Sequence, residues 1–130
     1  MKLYRDYELN REAFQLDFKD CSDFLLRDIL IDGSRAFLCA MDGLVDVLQM
    51  NETVTEPLLH AVLSADTPQQ KLELIKQCAV GAIEMNDAET FEDCYFFLMS
   101  GFAVLVIEGV RSAVAFGVQG WNRQIGRAHV

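Results

Sequence analysis

The chain has 130 residues, 52% of them apolar, and a formal net charge of −9. That length suits one domain with a core of its own, and so apolar a composition excludes a disordered chain. The acidic excess excludes a nucleic-acid binder, because phosphates are repelled by such a surface, and no basic amphipathic stretch offers a hold on anionic lipid.

The first residues, MKLYRDYELNREAF, carry charges throughout and no apolar stretch, so they are not a signal peptide. Asn10 is placed to cap a helix running to about Phe18, with Phe14 and Phe18 on one face. Cys21-Ser22-Asp23 breaks that pattern. Two apolar runs follow, Phe24–Ile31 and Arg35–Met41, hinged at Asp32-Gly33. An Asp-Gly pair between such runs predicts a tight hairpin turn, since glycine tolerates the positive φ the turn requires. The second run, RAFLCAM, is so uniformly apolar that it predicts a strand covered on both faces.

A second Asp-Gly, Asp42-Gly43, leads into a helical turn or two reaching Met50, with Leu44, Val47 and Leu48 at helical spacing. Two readings of Asp42-Gly43-Leu44-Val45-Asp46 stand side by side. In one, Asp42 caps the helix and Gly43 makes the turn. In the other, Asp42, Gly43 and Asp46 line a ligand site at the carboxyl end of a strand, where α/β proteins often bind small molecules.

Thr53 and Glu56 have capping-box spacing, and Leu58, Leu59, Val62 and Leu63 would be the buried stripe of the helix they begin. Thr67-Pro68-Gln69-Gln70 forms a second box with proline at the first helical position, starting a helix that ends near Gln77. Ala79–Met85 reads as a third strand, reached by a helical crossover and so parallel to the second. Asn86 with Glu89 starts the clearest helix, on which Phe91, Cys94, Tyr95 and Leu98 recur at i, i+3, i+4 and i+7 before Gly101 ends it. Phe102–Ile107 and Ser112–Gln119 form the last two strands, joined through Glu108-Gly109-Val110-Arg111. The order is β-β-α-α-β-α-β-β: an α/β (mixed α+β) fold with a small mixed sheet of about five strands and helices packed on it.

Motifs for catalysis are missing. His60 has no second His, Cys or Glu at metal-ligand spacing and reads as a partly exposed helical histidine. No serine sits in a GxSxG elbow, and the glycines are too dispersed to cradle a phosphate. Cys21, Cys39, Cys78 and Cys94 form no CxxC pair and read as reduced, mostly buried thiols. The apolar run from Cys94 to Ile107 is too short to cross a bilayer and is broken at Ser100-Gly101. These residues predict a non-enzymatic module with no catalytic group, metal or cofactor.

The segment Ala40-Met41-Asp42-Gly43-Leu44-Val45-Asp46, followed by Asn51 and Pro57-Leu58, resembles the GerA-type spore germination receptor A-subunit family. That family has a strand ending in an Ile-Asp-Gly-Leu-Val/Thr-Asp type motif, then an Asn and a Pro-Leu in the next helix. Leu98-Met99-Ser100-Gly101, continuing through Val104 to Gly109, is similar to the family's Leu-Leu-Ser-Gly segment and the hairpin after it. Trp121-Asn122-Arg123 is similar to its closing Trp-x-x-Arg. Met41 replaces the common Ile, and Phe102 stands where a polar residue is usual.

The resemblance implies the first of two soluble N-terminal α/β subdomains of a receptor subunit in the inner spore membrane. Such a subunit works with B and C subunits to sense nutrients such as amino acids or sugars and to trigger ion release. Implied partners are the subunit's own second subdomain and transmembrane region, the B and C subunits, and a small nutrient germinant. Contacts to them are expected from Phe102, Val104 and Val106, or from the alternate set on that strand. On this reading residues 1–124 are the subdomain. Residues 125–130, similar to a translated sequencing adapter, are a non-native tail. The alternative is a stand-alone small-molecule-binding α/β regulatory domain.

Overall fold

Asp32 and Gly33 both have positive φ, +49° and +85°, as a two-residue hairpin turn requires. They fold β1 (Phe24–Ile31) back on β2 (Ser34–Met41) in antiparallel register from Phe24↔Met41 to Ile31↔Ser34. The Asp32 carboxylate also accepts the Leu63 N–H at 2.8 Å, tying the turn to a later loop. The structure, a computed structural model, describes residues 1–79 and 84–119. Trp121-Asn122-Arg123 and the 125–130 tail lie outside the described residues.

Three further strands, β3 (Met85–Ala88), β4 (Phe102–Ile107) and β5 (Ala113–Gly117), complete a sheet in the order β1-β2-β4-β5-β3, every pair antiparallel. The expected parallel third strand is corrected. Residues 80–83 of the expected Ala79–Met85 strand lie outside the described residues; of the rest, Ala79 ends a π-helical segment and Met85 begins β3, which pairs antiparallel with β5 at the edge far from β1. Its sequence, Met-Asn-Asp-Ala, has little strand propensity of its own. Backbone pairing with the apolar β5 makes it a strand, and an edge position tolerates its exposed Asn86 and Asp87.

The helices begin where side chains satisfy their free N–H groups. For α1 (Tyr7–Asp17) the cap is Asp6, whose carboxylate accepts from the N–H groups of Glu8 and Leu9 at 2.9 and 3.2 Å. The expected cap, Asn10, lies inside that helix, buried, with its amide bonded to both the N–H and the C=O of Tyr4. A helical stretch follows β2: α2 (Val47–Met50), a π-helical segment Asn51–Thr55, and α3 (Glu56–Leu59). Asp46, not Asp42 or Thr53, caps it, accepting the Gln49 N–H at 3.0 Å. The Thr53–Glu56 box is therefore not formed. Because the helix ends at Leu59, Val62 is exposed while Leu58 and Leu63 are buried. The second box is present: Thr67 and Gln70 cap α4 (Pro68–Leu74), which runs on as a π-helical segment, Ile75–Ala79. Thr90, rather than Asn86, caps α5 (Phe91–Met99), because Asn86 is taken up in β3.

Strand alternation sends successive side chains to opposite faces, and each face has its own core. On one, α1 and α5 cover Phe37, Cys39, Met41, Val104, Val106 and Ala115. On the other, the segments from 47 to 79 cover Ala36, Leu38, Ala40, Leu105, Ile107 and Phe116. Helices on both faces leave β4 buried at every residue. The expectation that Phe102, Val104 and Val106, or the alternate residues, meet a partner is thus overturned: they already pack inside this chain. Cys39 and Cys94 are free and buried, and burial pushes both thiols up, that of Cys94 to about 12. They are packing residues rather than nucleophiles.

Candidate functional site

Strand β1 is one edge of the sheet, and its sequence FLLRDILI is interrupted by two charges, Arg27 and Asp28. Such charges discourage a second chain from pairing with the exposed edge. Here they also sit in an open groove of about 620 Å³, shared with Tyr7, Glu8 and Arg11 of α1, Arg35 of β2 and Leu59 of α3.

The groove is organised around Asp28. Arg11 grips its carboxylate with two parallel bonds, Nε to Oδ1 and Nη2 to Oδ2, each 2.8 Å, the bidentate arrangement that suits guanidinium and carboxylate. The Tyr7 hydroxyl lies against the same carboxylate and 3.0 Å from the Ala36 carbonyl oxygen. Arg35 stacks its guanidinium over the Tyr7 ring, 4.8 Å from the centroid, and reaches Glu8 and Glu108, both at 3.3 Å. Helix α1 supplies Tyr7, Glu8 and Arg11 on one face because they are three and four residues apart.

This network neutralises itself. The Arg11 guanidinium bonded to Asp28 holds its carboxyl below the usual carboxylate range. Burial, with the adjacent Asp28 carboxylate, raises the Tyr7 phenol, so it stays protonated at neutral pH. What the groove presents is a fixed polar surface floored by Ile29 and Leu30.

The sign of the pH effect follows. A carboxyl lowered by folding contributes stability above its unfolded value, about 4, and that contribution is lost as pH falls through the lowered folded value. Asp28 is 49% exposed, so solvent screens the pair and the contribution is small. Acid titration followed by circular dichroism is expected to give a shallower acid limb for Asp28→Asn than for the parent. Tyr7 has the opposite sign: its contribution holds below about pH 10 and is lost above it. Tyr7→Phe is therefore expected to flatten the alkaline limb, and, because its hydroxyl also helps hold the Asp28 carboxyl down, to soften the acid limb by less than Asp28→Asn does.

The residues singled out from sequence lie elsewhere, at the other end of β2. Asp42 and Gly43 are exposed, Gly43 with φ +92° in the turn, and Asp46 is half-buried with its carboxylate on the α2 N-terminus. The Asp46 N–H donates to the Val118 carbonyl at 2.9 Å, and Val45 bridges to Gln119, so this turn sits beside the end of the described chain. His60 follows α3, is largely exposed, and lies 3.3 Å from Glu56. Among the described residues no three His, Cys, Asp or Glu side chains converge as a metal site, and no helix is long and apolar enough to cross a membrane. Sequence reading missed the Tyr7–Arg11–Asp28–Arg35 group. The available signal was the Arg-Asp pair in the middle of an otherwise apolar strand.

Comparison with known proteins gives a family and a fold. A family model described as the Bacillus/Clostridium GerA spore germination protein matches residues 12–129. No match was found among curated protein sequences. Among solved structures the chain is similar to the N-terminal domain of the A subunit of the Bacillus megaterium spore germinant receptor GerK3, with TM-score 0.69 and 19% identity. That alignment covers 92% of this chain and 49% of the other, so the chain spans about half the length of its solved relative.

Proposed function

The chain belongs to the GerA spore germination family, and from that premise we propose that it is the first α/β subdomain of a germinant-receptor A subunit, a signalling module without catalytic activity. The observation that carries this is the family match across residues 12–129, nearly the whole chain. In this reading the module is held at the inner spore membrane by a transmembrane region of the subunit. It passes a nutrient signal to that region and to the B and C subunits.

A face suited to a second subdomain lies where the described chain ends. Phe96 and Met99 on α5 are 66% and 59% exposed, and Val47 and Leu48 on α2 are exposed as well. The helices that carry them cover opposite faces of the sheet, and both reach the end of the described chain: the Asp46 N–H before α2 bonds the Val118 carbonyl, and Gly101 after α5 lies against Gln119. In this reading exposed apolar side chains at that end of the sheet are covered by the other half of a fold about twice this length, as in the solved relative. Asp42, Gly43 and Asp46 stand at the same end and in this reading line the crevice that the second half closes over a nutrient molecule.

Spores lacking the gene are expected to lose ion release triggered by at least one amino acid or sugar. In the full-length gene, Leu48→Glu with Met99→Glu should reproduce the loss. Val62→Glu, at a still more exposed position near the opposite end of the strands, should not. An unchanged response to every amino acid and sugar in the deleted strain would sink the reading.

A further inference from the structure

A second cavity, about 260 Å³, opens between β1, β2 and the π-helical segment Asn51–Thr55. Leu25, Leu38 and Met50 make it largely apolar, and Arg27, Asn51 and Thr55 are the polar side chains lining it. Thr55 is 2% exposed, yet its hydroxyl has no hydrogen-bond partner among the described residues. Its neighbour Thr53 takes the usual helical solution, donating to the Gln49 carbonyl four residues back at 2.8 Å. At Thr55 the corresponding carbonyl, that of Asn51, is occupied by the Glu56 N–H in the wider π register. A buried hydroxyl without a partner carries a desolvation penalty that stabilises nothing, and π-helical segments recur where proteins bind ligands. The side chain of Arg27, exposed on the edge strand, likewise has no ion pair or hydrogen bond among the described residues.

The geometry points to this cavity as a binding site for a short branched aliphatic carboxylate. The hydrocarbon lies against Leu25, Leu38 and Met50. The carboxylate takes the Arg27 guanidinium and the Thr55 hydroxyl, with Asn51 as a neutral neighbour. The volume is below the range of about 300–1,000 Å³ typical of drug-sized ligands, which restricts the site to a molecule of a few carbons. No Asp or Glu lines the cavity, so the ammonium of an amino acid would find no counter-charge. That sets the expected ligand apart from α-amino acids. A chain with no part in germination would still carry this site, so its failure and that of the receptor reading are separate results.

The test is a titration of the ¹⁵N-labelled chain with 3-methylbutanoate, read by amide chemical shifts. Saturable shifts are expected at Leu25–Arg27, Leu38–Ala40 and Met50–Thr55, with half-saturation in the roughly millimolar range allowed by about seven non-hydrogen atoms. Arg27→Gln, at an exposed position, should weaken binding about tenfold or more. Thr55→Val keeps the side-chain volume and removes the hydroxyl. It should weaken binding about tenfold while raising the melting temperature of the ligand-free chain, so the lost binding cannot be lost folding. Three results would overturn the proposal: no saturable shift, affinity unchanged in both variants, or L-leucine or 3-methylbutan-1-ol binding as tightly as the carboxylate.

Discussion

Replacing Phe14 by alanine is expected to remove about 3–5 kcal/mol of stability, a large share of the roughly 5–15 kcal/mol that holds a domain folded. Phe14 is fully buried on α1 and makes ring contacts with three residues on two other elements: edge-to-face with Phe37 of β2 at 5.2 Å and with Tyr95 of α5 at 5.3 Å, and tilted against Phe91, also of α5, at 5.8 Å. Truncation leaves a cavity where α1, α5 and the sheet meet, and neither helix can close it without losing its own contacts. A chain of this length shifts its melting temperature by about 3–5 °C per kcal/mol, so a fall of roughly 10–20 °C is expected. Urea unfolding should show the lost stability as a lower midpoint at unchanged slope. Phe14→Leu restores much of the apolar volume and forfeits the ring pairs, each worth about 0.5–1.5 kcal/mol, so it should fall between parent and alanine variant. Because α1 also carries Tyr7 and Arg11, loosening it should release Asp28 and turn the fixed polar groove into separate side chains. A loss below about 1 kcal/mol for Phe14→Ala would mean α1 contributes little to the core, contrary to its burial.

Local chemistry made much of this fold legible. The Asp32-Gly33 turn, β1 and β4 follow from strand runs bounded by turn residues, and α4 follows from a capping box that forms as its spacing implies. The errors share a cause. Asn10, Thr53 and Asn86 each have the chemistry of a helix cap, but burial or strand pairing has claimed their positions. Asn10 anchors Tyr4, Thr53 is nearly two turns inside a helix begun at Asp46, and Asn86 faces Ala115 across the sheet. A cap is a local preference worth about 1 kcal/mol, less than the burial of a helix face, so tertiary packing decides among candidates. The groove was harder still. Tyr7, Arg11, Asp28 and Arg35 come from the two strands of a hairpin and a helix before it, and only the antiparallel register and the docking of α1 bring them together. The unpartnered Thr55 hydroxyl could not be foreseen, because it depends on a π register that side-chain spacing does not encode.

Gly101 is expected to be the least replaceable glycine at the end of the molecule where Asp42 and Asp46 lie. It follows α5 with φ +86°, its N–H donating to the Leu98 carbonyl at 3.2 Å, so any side chain costs about 1–2 kcal/mol in this left-handed conformation. Space adds to that cost. A Cβ there would lie 2.9 Å from the Leu44 carbonyl oxygen and 2.8 Å from Cγ of Gln119. The glutamine can swing aside, but the carbonyl belongs to the turn whose Leu44 and Val45 N–H groups both bond the Met41 carbonyl. It moves only if the turn moves. Gly33 supplies the control, with nearly the same φ, +85°, and nothing within 4 Å of its would-be Cβ. Gly33→Ala should therefore cost the conformational term alone, about 1–2 kcal/mol. Gly101→Ala should cost about 3 kcal/mol or more, and the difference between them measures the close approach of two backbones. Hydrogen exchange can locate the damage: in Gly101→Ala the Asp46 and Gln49 N–H groups, which bond Val118 and the Asp46 cap, should lose protection more than those of β1. Equal costs for the two substitutions, or a uniform loss of protection, would show that the Leu44 turn yields freely. It could not then carry a strain from a closing partner into Val47, Leu48 and α5.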